Sequence, residues 1–481
     1  MGSDQKNAFA AIILSGLILF GWQTYFAPQP VAERPVTQVT KSAEAVAAKV
    51  ETPTLVKDDF VKETIVISSG ENQFAVRNDL AVGKGKTPDE KYGFHKITGS
   101  DFPFKIQILG ANNTYQTLKL KITSKERRKL SAVVEELKIS VSMFFQENGE
   151  MSLSLNSPMP YKYRLVFNSE KEELENRRYR EFIYLTGGDV ERETVGDEFQ
   201  AEGKVKWVGI DHEFHIFNFI FSEKTLTNLK ADNKGNLFVE IINPTNAFSG
   251  KLVFTIKNYD KLDALGDNLK LTVDFGIFGI VAVPIFRGMQ FFYSWIPNYG
   301  WAIILLTLLI RTLTFPLQYK SFKSMKKMQV IQPEITKIKE KYKDDPQRMQ
   351  KETMELFKRA GANPLGGCLP LLLQMPIFFA FYKVLYQSVE LVGAPWIFWV
   401  TDLSQKDPLY ILPVLMAISM FLQQKFTPTT TTDPMQKKLM MFMPLIFGFI
   451  MKDLPSGLTL YIFVSTIFGI LQQMFVYRTT D

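Results

Sequence analysis

The chain has 481 residues with 56 Lys and Arg against 49 Asp and Glu, and its net charge of +7 is unevenly placed. Residues 27 to 274 hold 34 basic and 36 acidic residues, whereas 318 to 364 hold 12 basic and 6 acidic. The excess therefore sits in one loop between apolar runs, which is the positive-inside pattern and excludes a nucleic-acid groove. A single cysteine, Cys368, excludes a disulfide framework or cysteine-cluster metal site, and three histidines, His95, His212 and His215, leave little for imidazole chemistry. No cofactor, metal site or catalytic residue is expected.

Ala8 to Phe26 is an apolar run of 19 residues, about 28 Å as a helix and close to one bilayer core. It exceeds the usual core of a cleaved signal peptide and no small-x-small site follows, so 1–26 is predicted to be an uncleaved transmembrane anchor, with a cleaved signal as the alternative. Residues 27–53 are rich in Pro, Ala, Val and Thr and read as a flexible tether. From 54 to 273, alternating runs such as ETIVISS, FPFKIQIL, KLKITS, LKISVSMFF, MSLSLN, KYRLVF, NLFVEII and KLVFTIKN predict a large antiparallel β domain, with SEKEELENRRYREF as a short helix inside it. The run Asp211-His212-Glu213-Phe214-His215 resembles a metal site only superficially. It is not HExxH, and in a strand positions i and i+3 face opposite sides, so these read as ordinary strand side chains. Carbohydrate or protein binding by this domain carries no specific signal.

Residues 274–297 are apolar and aromatic but interrupted by Pro284 and Arg287, predicting an interfacial amphipathic helix on the outer membrane surface. The next span has its apolar part from Trp301 to about Leu317. Arg311, ten residues after Trp301 and so about 15 Å deeper, falls near the bilayer midplane. The remaining apolar runs, at 366–387, 409–422, 439–451 and 457–476, contain no acidic residue to pair with it. Thr307, Gln374, Ser419, Tyr461, Ser465 and Thr466 and, nearer the inner surface, Gln423, Gln424, Gln472 and Gln473 are therefore predicted to line a wet cavity around an unpaired Arg311, the alternative being an arginine snorkelling to the inner interface. The runs at 409–422 and 439–451 are short, about 20 Å, and predict either shielding by neighbouring spans or local bilayer thinning. Eight of 18 methionines lie between 409 and 481, as lipid-facing filler or as an adaptable surface for apolar guests.

Between the spans, 318–364 predicts a basic helical hairpin. Met328, Ile331, Ile335, Ile338 and Tyr342 form its seam, Asp345 and Pro346 start its second helix, and Gly361 ends it. Lys326, Lys327, Lys337, Lys341, Arg348, Lys358 and Arg359 make it either a solvated topogenic loop or a landing site for ribosome, anionic phospholipids or incoming chains. Charge alternation gives six transmembrane helices, both termini in the cytoplasm and the β domain outside.

The runs WAIILLTLLIRTLTFPL, ANPLGGCLPLLLQMPIF, DPLYILPVLM, TDPMQKKLMMFMP and LPSGLTLYIFVS resemble, in order and spacing over about 274 to 478, the YidC family of membrane protein insertases. The anchor, tether and outer domain are similar to the Gram-negative bacterial form. This resemblance implies a polytopic α-helical protein of the inner membrane, five of its six helices forming an insertase core at 298–481, with a periplasmic all-β supersandwich. It also implies a cytoplasm-facing hydrophilic groove with Arg311 as its arginine and Thr307 and Tyr461 on substrate-contacting spans. Ile462 stands where some relatives carry a second aromatic. Implied partners are nascent membrane proteins and the Sec translocon. A solute transporter is disfavoured by the lack of paired repeats and midplane carboxylates, and an intramembrane enzyme by the lack of HExxH, GxSxG or an embedded Asp pair.

Overall fold

The computed structural model describes residues 61–70, 72–84, 102–169, 180–212, 214–362, 369–427 and 434–479. The expected anchor and tether, His95, Glu213 and Cys368 lie outside the described residues.

The β-rich part begins with β1 (Thr64–Ser69), β2 (Asn72–Arg77), β3 (Ala81–Lys84), β4 (Phe104–Leu109), β5 (Tyr115–Thr117), β6 (Lys121–Lys125), β7 (Lys129–Val134) and β8 (Ile139–Phe145). It continues with β9 (Glu150–Tyr161), β10 (Tyr163–Asn168), β11 (Glu181–Thr186), β12 (Asp189–Thr194), β13 (Phe199–Asp211), β14 (His215–Ala231), β15 (Asn236–Ile241) and β16 (Thr245–Ile256). Pairing runs β1-β2-β3-β4-β10-β15-β14-β16-β9-β8-β7-β6, with β5 beside β4 and β11 between β12 and β13. All eight alternating runs fall on strands, because period-two patterning buries one face: Phe104, Ile106 and Ile108 are fully buried while Lys105 and Gln107 are not. That face builds a core in which Phe104 contacts Phe167, Phe217 and Phe219, each ring contributing about 1.5–3 kcal/mol on burial. Of the helix expected over 169–182, residues 170–179 lie outside the described set, and Glu181 and Phe182 open β11 instead.

Asp211 and His215 belong to two different strands rather than one. Asp211 ends β13 and pairs with Ile216, and the His212 amide donates to the His215 carbonyl at 2.8 Å. Both histidines are consequently buried rather than placed on opposite faces. Burial, aided by nearby Arg180, His215 and Lys257, holds the His212 imidazole pKa well below its usual value. Asp211 Oδ2 itself accepts from Lys257 Nζ at 3.0 Å and from Arg192 Nη1 at 2.8 Å. No group of three metal-capable side chains occurs among the described residues.

After β16 come α1 (Tyr259–Leu265), α2 (Gly279–Trp295), α3 (Tyr299–Lys341), α4 (Pro346–Ala360), α5 (Leu369–Gln387), α6 (Ile411–Phe426), α7 (Pro434–Ile450) and α8 (Ser456–Thr479). Strand residues Ile183, Trp207, Ile220 and Val253 share one core with Phe286 of α2, Phe381 of α5 and Tyr461 of α8, so sheet and helices are packed together. Polar ties reinforce the junction: Asn258 Nδ2 donates to Glu390 Oε1 at 2.9 Å, and Lys383 of α5 pairs with Asp274 at 2.7 Å.

Pro284 does not interrupt α2, which runs straight through it, and Arg287 is ion-paired with Asp260. A proline near the start of a helix removes one hydrogen bond without ending the turn when neighbours pack both sides. Within the described residues, Gly276–Trp295, Tyr299–Lys341 and Ser456–Thr479 are long and apolar enough to cross a membrane. The runs expected at 14 and 13 residues form helices of 16 and 17, about 24–26 Å, because their polar flanks are helical too.

The first hairpin arm is no separate helix. At 43 residues α3 is about 65 Å long, runs through Pro316 and Pro333, and continues about 36 Å past Leu317. Its Met328, Ile331 and Ile335 pack against Leu356 of α4, with Ile338 beside them. Asp345 caps α4 by accepting from the Arg348 amide, Pro346 occupies its first turn, and Gly361 closes it at φ 58°. Lys327 Nζ donates to the Gly361 carbonyl at 3.3 Å, and Lys326 Nζ to the Tyr477 carbonyl of α8 at 2.9 Å. These two lysines therefore tie elements together. Lys337, Lys341, Arg348, Lys358 and Arg359 are exposed.

Candidate functional site

Helical spacing places Thr307, Arg311, Thr314 and Gln318 on one face of α3, and Tyr461, Ser465, Gly469 and Gln472 on one face of α8. The two faces meet. Arg311 Nε donates to Ser465 Oγ at 2.8 Å and Nη1 to Gln318 Oε1 at 3.4 Å, while Gln472 Nε2 donates to the Arg311 carbonyl at 3.0 Å. From α5, Gln374 Nε2 donates to Tyr461 Oη at 2.6 Å and approaches Ser465 Oγ at 3.5 Å. Tyr461 is held by stacking on Phe381, ring centroids 4.0 Å apart.

Arg311, Gln374, Tyr461, Ser465 and Gln472 thus form one network, three helices contributing. Every group that contacts the Arg311 guanidinium is neutral, and no carboxylate forms an ion pair with it among the described residues. The charge is solvated by hydroxyl and amide dipoles but not cancelled. Acceptor capacity also remains, since the buried Gln472 Oε1 has no hydrogen-bond partner among the described residues.

Thr307 and Ser419 do not join the network. Both are buried, and their hydroxyls donate to carbonyls of their own helices, Thr307 to Ile303 at 2.6 Å and Ser419 to Met416 at 2.7 Å. Of the two adjacent α6 amides expected here, Gln423 is the one placed at the site. A Cβ at Gly469 would stand 3.2 Å from Gln423 Nε2 and 3.4 Å from Arg311 Nη1, so Gln423 is the α6 side chain at this point, and the missing side chain of Gly469 lets both groups approach α8. Gln318 was not anticipated, although its place seven residues after Arg311, two helical turns on, signals a shared face.

Beside this polar stripe, α6 and α7 are apolar outward. Val414, Ile418 and Leu422 of α6 and Phe442, Ile446, Phe449 and Ile450 of α7 are exposed, as is Met375 of α5. Apolar helix faces of this extent suit lipid.

A polar network inside a set of apolar helices, joined to a large β-rich part, defines an integral membrane protein. A family model described as 60Kd inner membrane protein matches residues 291–481. The membrane protein insertase YidC of Wolinella succinogenes is 39% identical over 361 residues, covering 73% of this chain and 67% of that one, so the chain belongs to the YidC family, a family of membrane protein insertases and not of enzymes. The Campylobacter jejuni YidC is 42% identical over 286 residues, 60% of this chain and 53% of its own length. The alignments thus span about half to two-thirds of these relatives. A crystal structure of an active YidC insertase, with the first transmembrane domain resolved, aligns over 86% of this chain and 92% of its own at 20% identity, with a TM-score of 0.41.

Proposed function

We propose that this protein inserts newly made membrane proteins into the bacterial inner membrane, with Arg311 as the attracting charge of a hydrophilic groove open to the cytoplasm. The observation that carries this reading is the uncancelled guanidinium of Arg311, which among the described residues is hydrogen-bonded by Ser465 and Gln318. A short acidic or polar stretch of the guest enters beside it. At about 5–6 Å and an effective dielectric near 20 the attraction is on the order of 3 kcal/mol, enough to offset much of the cost of dehydrating the stretch. Meanwhile the guest's apolar segment slides along the outward faces of 366–387 and 439–451 and partitions into lipid, favoured by roughly 25 cal/mol per Å² and by the membrane potential. The exposed Phe442, Ile446 and Phe449 support this role for the second of these segments.

In this reading both termini are cytoplasmic, 1–26 anchors the chain, 27–53 tethers it, 54–273 is a periplasmic supersandwich and 274–297 lies on the outer surface. The core at 298–481 works alone on one- or two-span guests and with the Sec translocon on larger ones. The hairpin at 318–364 projects into the cytoplasm, where exposed Lys337, Lys341, Arg348, Lys358 and Arg359 meet ribosome or anionic phospholipid. Insertion of a single-span protein with an acidic tail into vesicles, with and without this protein, tests the reading. Equal insertion in both would defeat it.

A further inference from the structure

One concavity lies far from Arg311. It has a volume of about 220 Å³ and is lined by the Gly187-Gly188 turn, Lys204, Lys206, Lys224 and Asp267. Its lysines are gathered by a break in pairing: Val205 pairs with Thr225 and Trp207 with Ile220, so β14 sets Phe221 to Lys224 against the single Lys206 of β13. Such a bulge re-aims side chains. Lys206 is immobilised, donating to the Phe221 carbonyl at 3.0 Å and the Ser222 carbonyl at 3.2 Å and pairing with Asp267 at 3.2 Å. Lys204 and Lys224 are exposed and form no ion pair among the described residues. Glu202 and Glu223 flank them in sequence but do not line the concavity.

Three ammonium groups around one small space with one carboxylate repel one another unless an anion joins them. The rim supplies the second observation. Asp267 and Asn268, both at positive φ, turn the chain directly into Leu271, 41% exposed, and then Ile277 and Ile280, 67% and 86% exposed. A cationic concavity whose edge continues into outward apolar side chains matches a headgroup phosphate above its acyl chains.

We propose that Lys204, Lys206 and Lys224 bind the phosphodiester of an anionic phospholipid in the outer leaflet, holding the β-rich part against the membrane. The placement rests on the proposed position of 274–297 at the outer surface. Free phosphate shares the recognised chemistry and is the competing source.

The test uses the full chain in detergent, titrated with phosphatidylglycerol or phosphatidylcholine and read by native mass spectrometry. Wild type retains phosphatidylglycerol over phosphatidylcholine, Lys204→Gln/Lys224→Gln binds it about 30-fold more weakly at the usual contribution per cation, and Lys204→Arg/Lys224→Arg restores it. Lys230→Gln/Lys234→Gln, which removes two exposed charges elsewhere, leaves it unchanged. Equal loss in both double Gln variants, or no preference in wild type, overturns the proposal, and displacement of lipid by millimolar inorganic phosphate assigns the site to free phosphate instead. A spin label at Ile280→Cys in a Cys368→Ser background reports depth separately. A label at the interface without lipid retention sinks this site while leaving the proposed orientation standing, and insertion assays remain an independent readout.

Discussion

Asp211→Asn strips the counter-charge from a buried lysine at the junction of sheet and helices. The carboxylate lies between Lys257, itself 4% exposed, and Arg192, and Lys257 Nζ also reaches Gln387 Oε1 of α5 at 3.5 Å, so the site joins sheet to helix. Replacing it leaves a buried ammonium with no counter-charge in contact, while Arg192 keeps Glu181 at 3.0 Å. Stripping one partner from a buried pair costs about 3–5 kcal/mol. At about 2–4 °C per kcal/mol for a part of this size, the unfolding midpoint falls by about 6–20 °C. Thermal unfolding of the detergent-solubilised protein, followed by near-ultraviolet circular dichroism, measures it. The double variant Asp211→Leu/Lys257→Met removes both charges and recovers most of the loss, as buried pairs replaced by apolar groups commonly do. A fall below about 2 °C for Asp211→Asn, or no recovery in the double variant, would show that the pair is not what couples these elements.

Three further outcomes are expected. Burial, reinforced by Asp260, pushes the Glu390 carboxyl up to about 7. Because the folded state then binds the proton more tightly than the unfolded state, stability falls as pH rises from about 4.5 to about 7 and is level above that. The full penalty is about 3 kcal/mol at 1.36 kcal/mol per pH unit. Glu390→Gln therefore raises the midpoint above pH 7 and leaves it unchanged near pH 4, and parallel midpoint-against-pH curves for the two proteins would contradict this. Gly469→Leu drives a branched side chain into Gln423 and Arg311, costs about 1–3 kcal/mol and lowers insertion, whereas Gly469→Ala requires a shift of a few tenths of an ångström and is nearly silent in vesicle insertion assays. Ile335→Ala, at a site 2% exposed between α3 and α4, loses about 2–5 kcal/mol of hairpin packing and shows as faster proteolysis near Lys343, while unchanged cleavage would count against the packed hairpin.

Much of this arrangement is legible residue by residue. Alternation in FPFKIQIL places Phe104, Ile106 and Ile108 in the core, and Asp345, Pro346 and Gly361 bracket α4 because capping is a local event. Arg311 stands out because its chemistry is costly at that depth, whatever surrounds it. What local pattern does not carry is rotational phase and distant pairing. A helix turns about 100° per residue, so of the adjacent amides Gln423 and Gln424 the pattern alone does not say which one faces Gly469. Asp211 meets Lys257 across 46 residues, a pairing invisible to a window that sees only His212 and His215. The bulge that gathers Lys206 and Lys224 depends on register between β13 and β14, which side-chain alternation alone does not specify.

The most direct measurement is insertion of a single-span protein with an acidic N-terminal tail into vesicles containing wild type, Arg311→Lys or Arg311→Ala, with expression and thermal midpoint matched. Wild type inserts the guest, Arg311→Lys retains insertion and Arg311→Ala loses it, with recovery when the guest's tail is made neutral and apolar. Equal insertion of the acidic guest by all three proteins would contradict a working charge at Arg311 and leave sliding along the apolar helices as the source of activity.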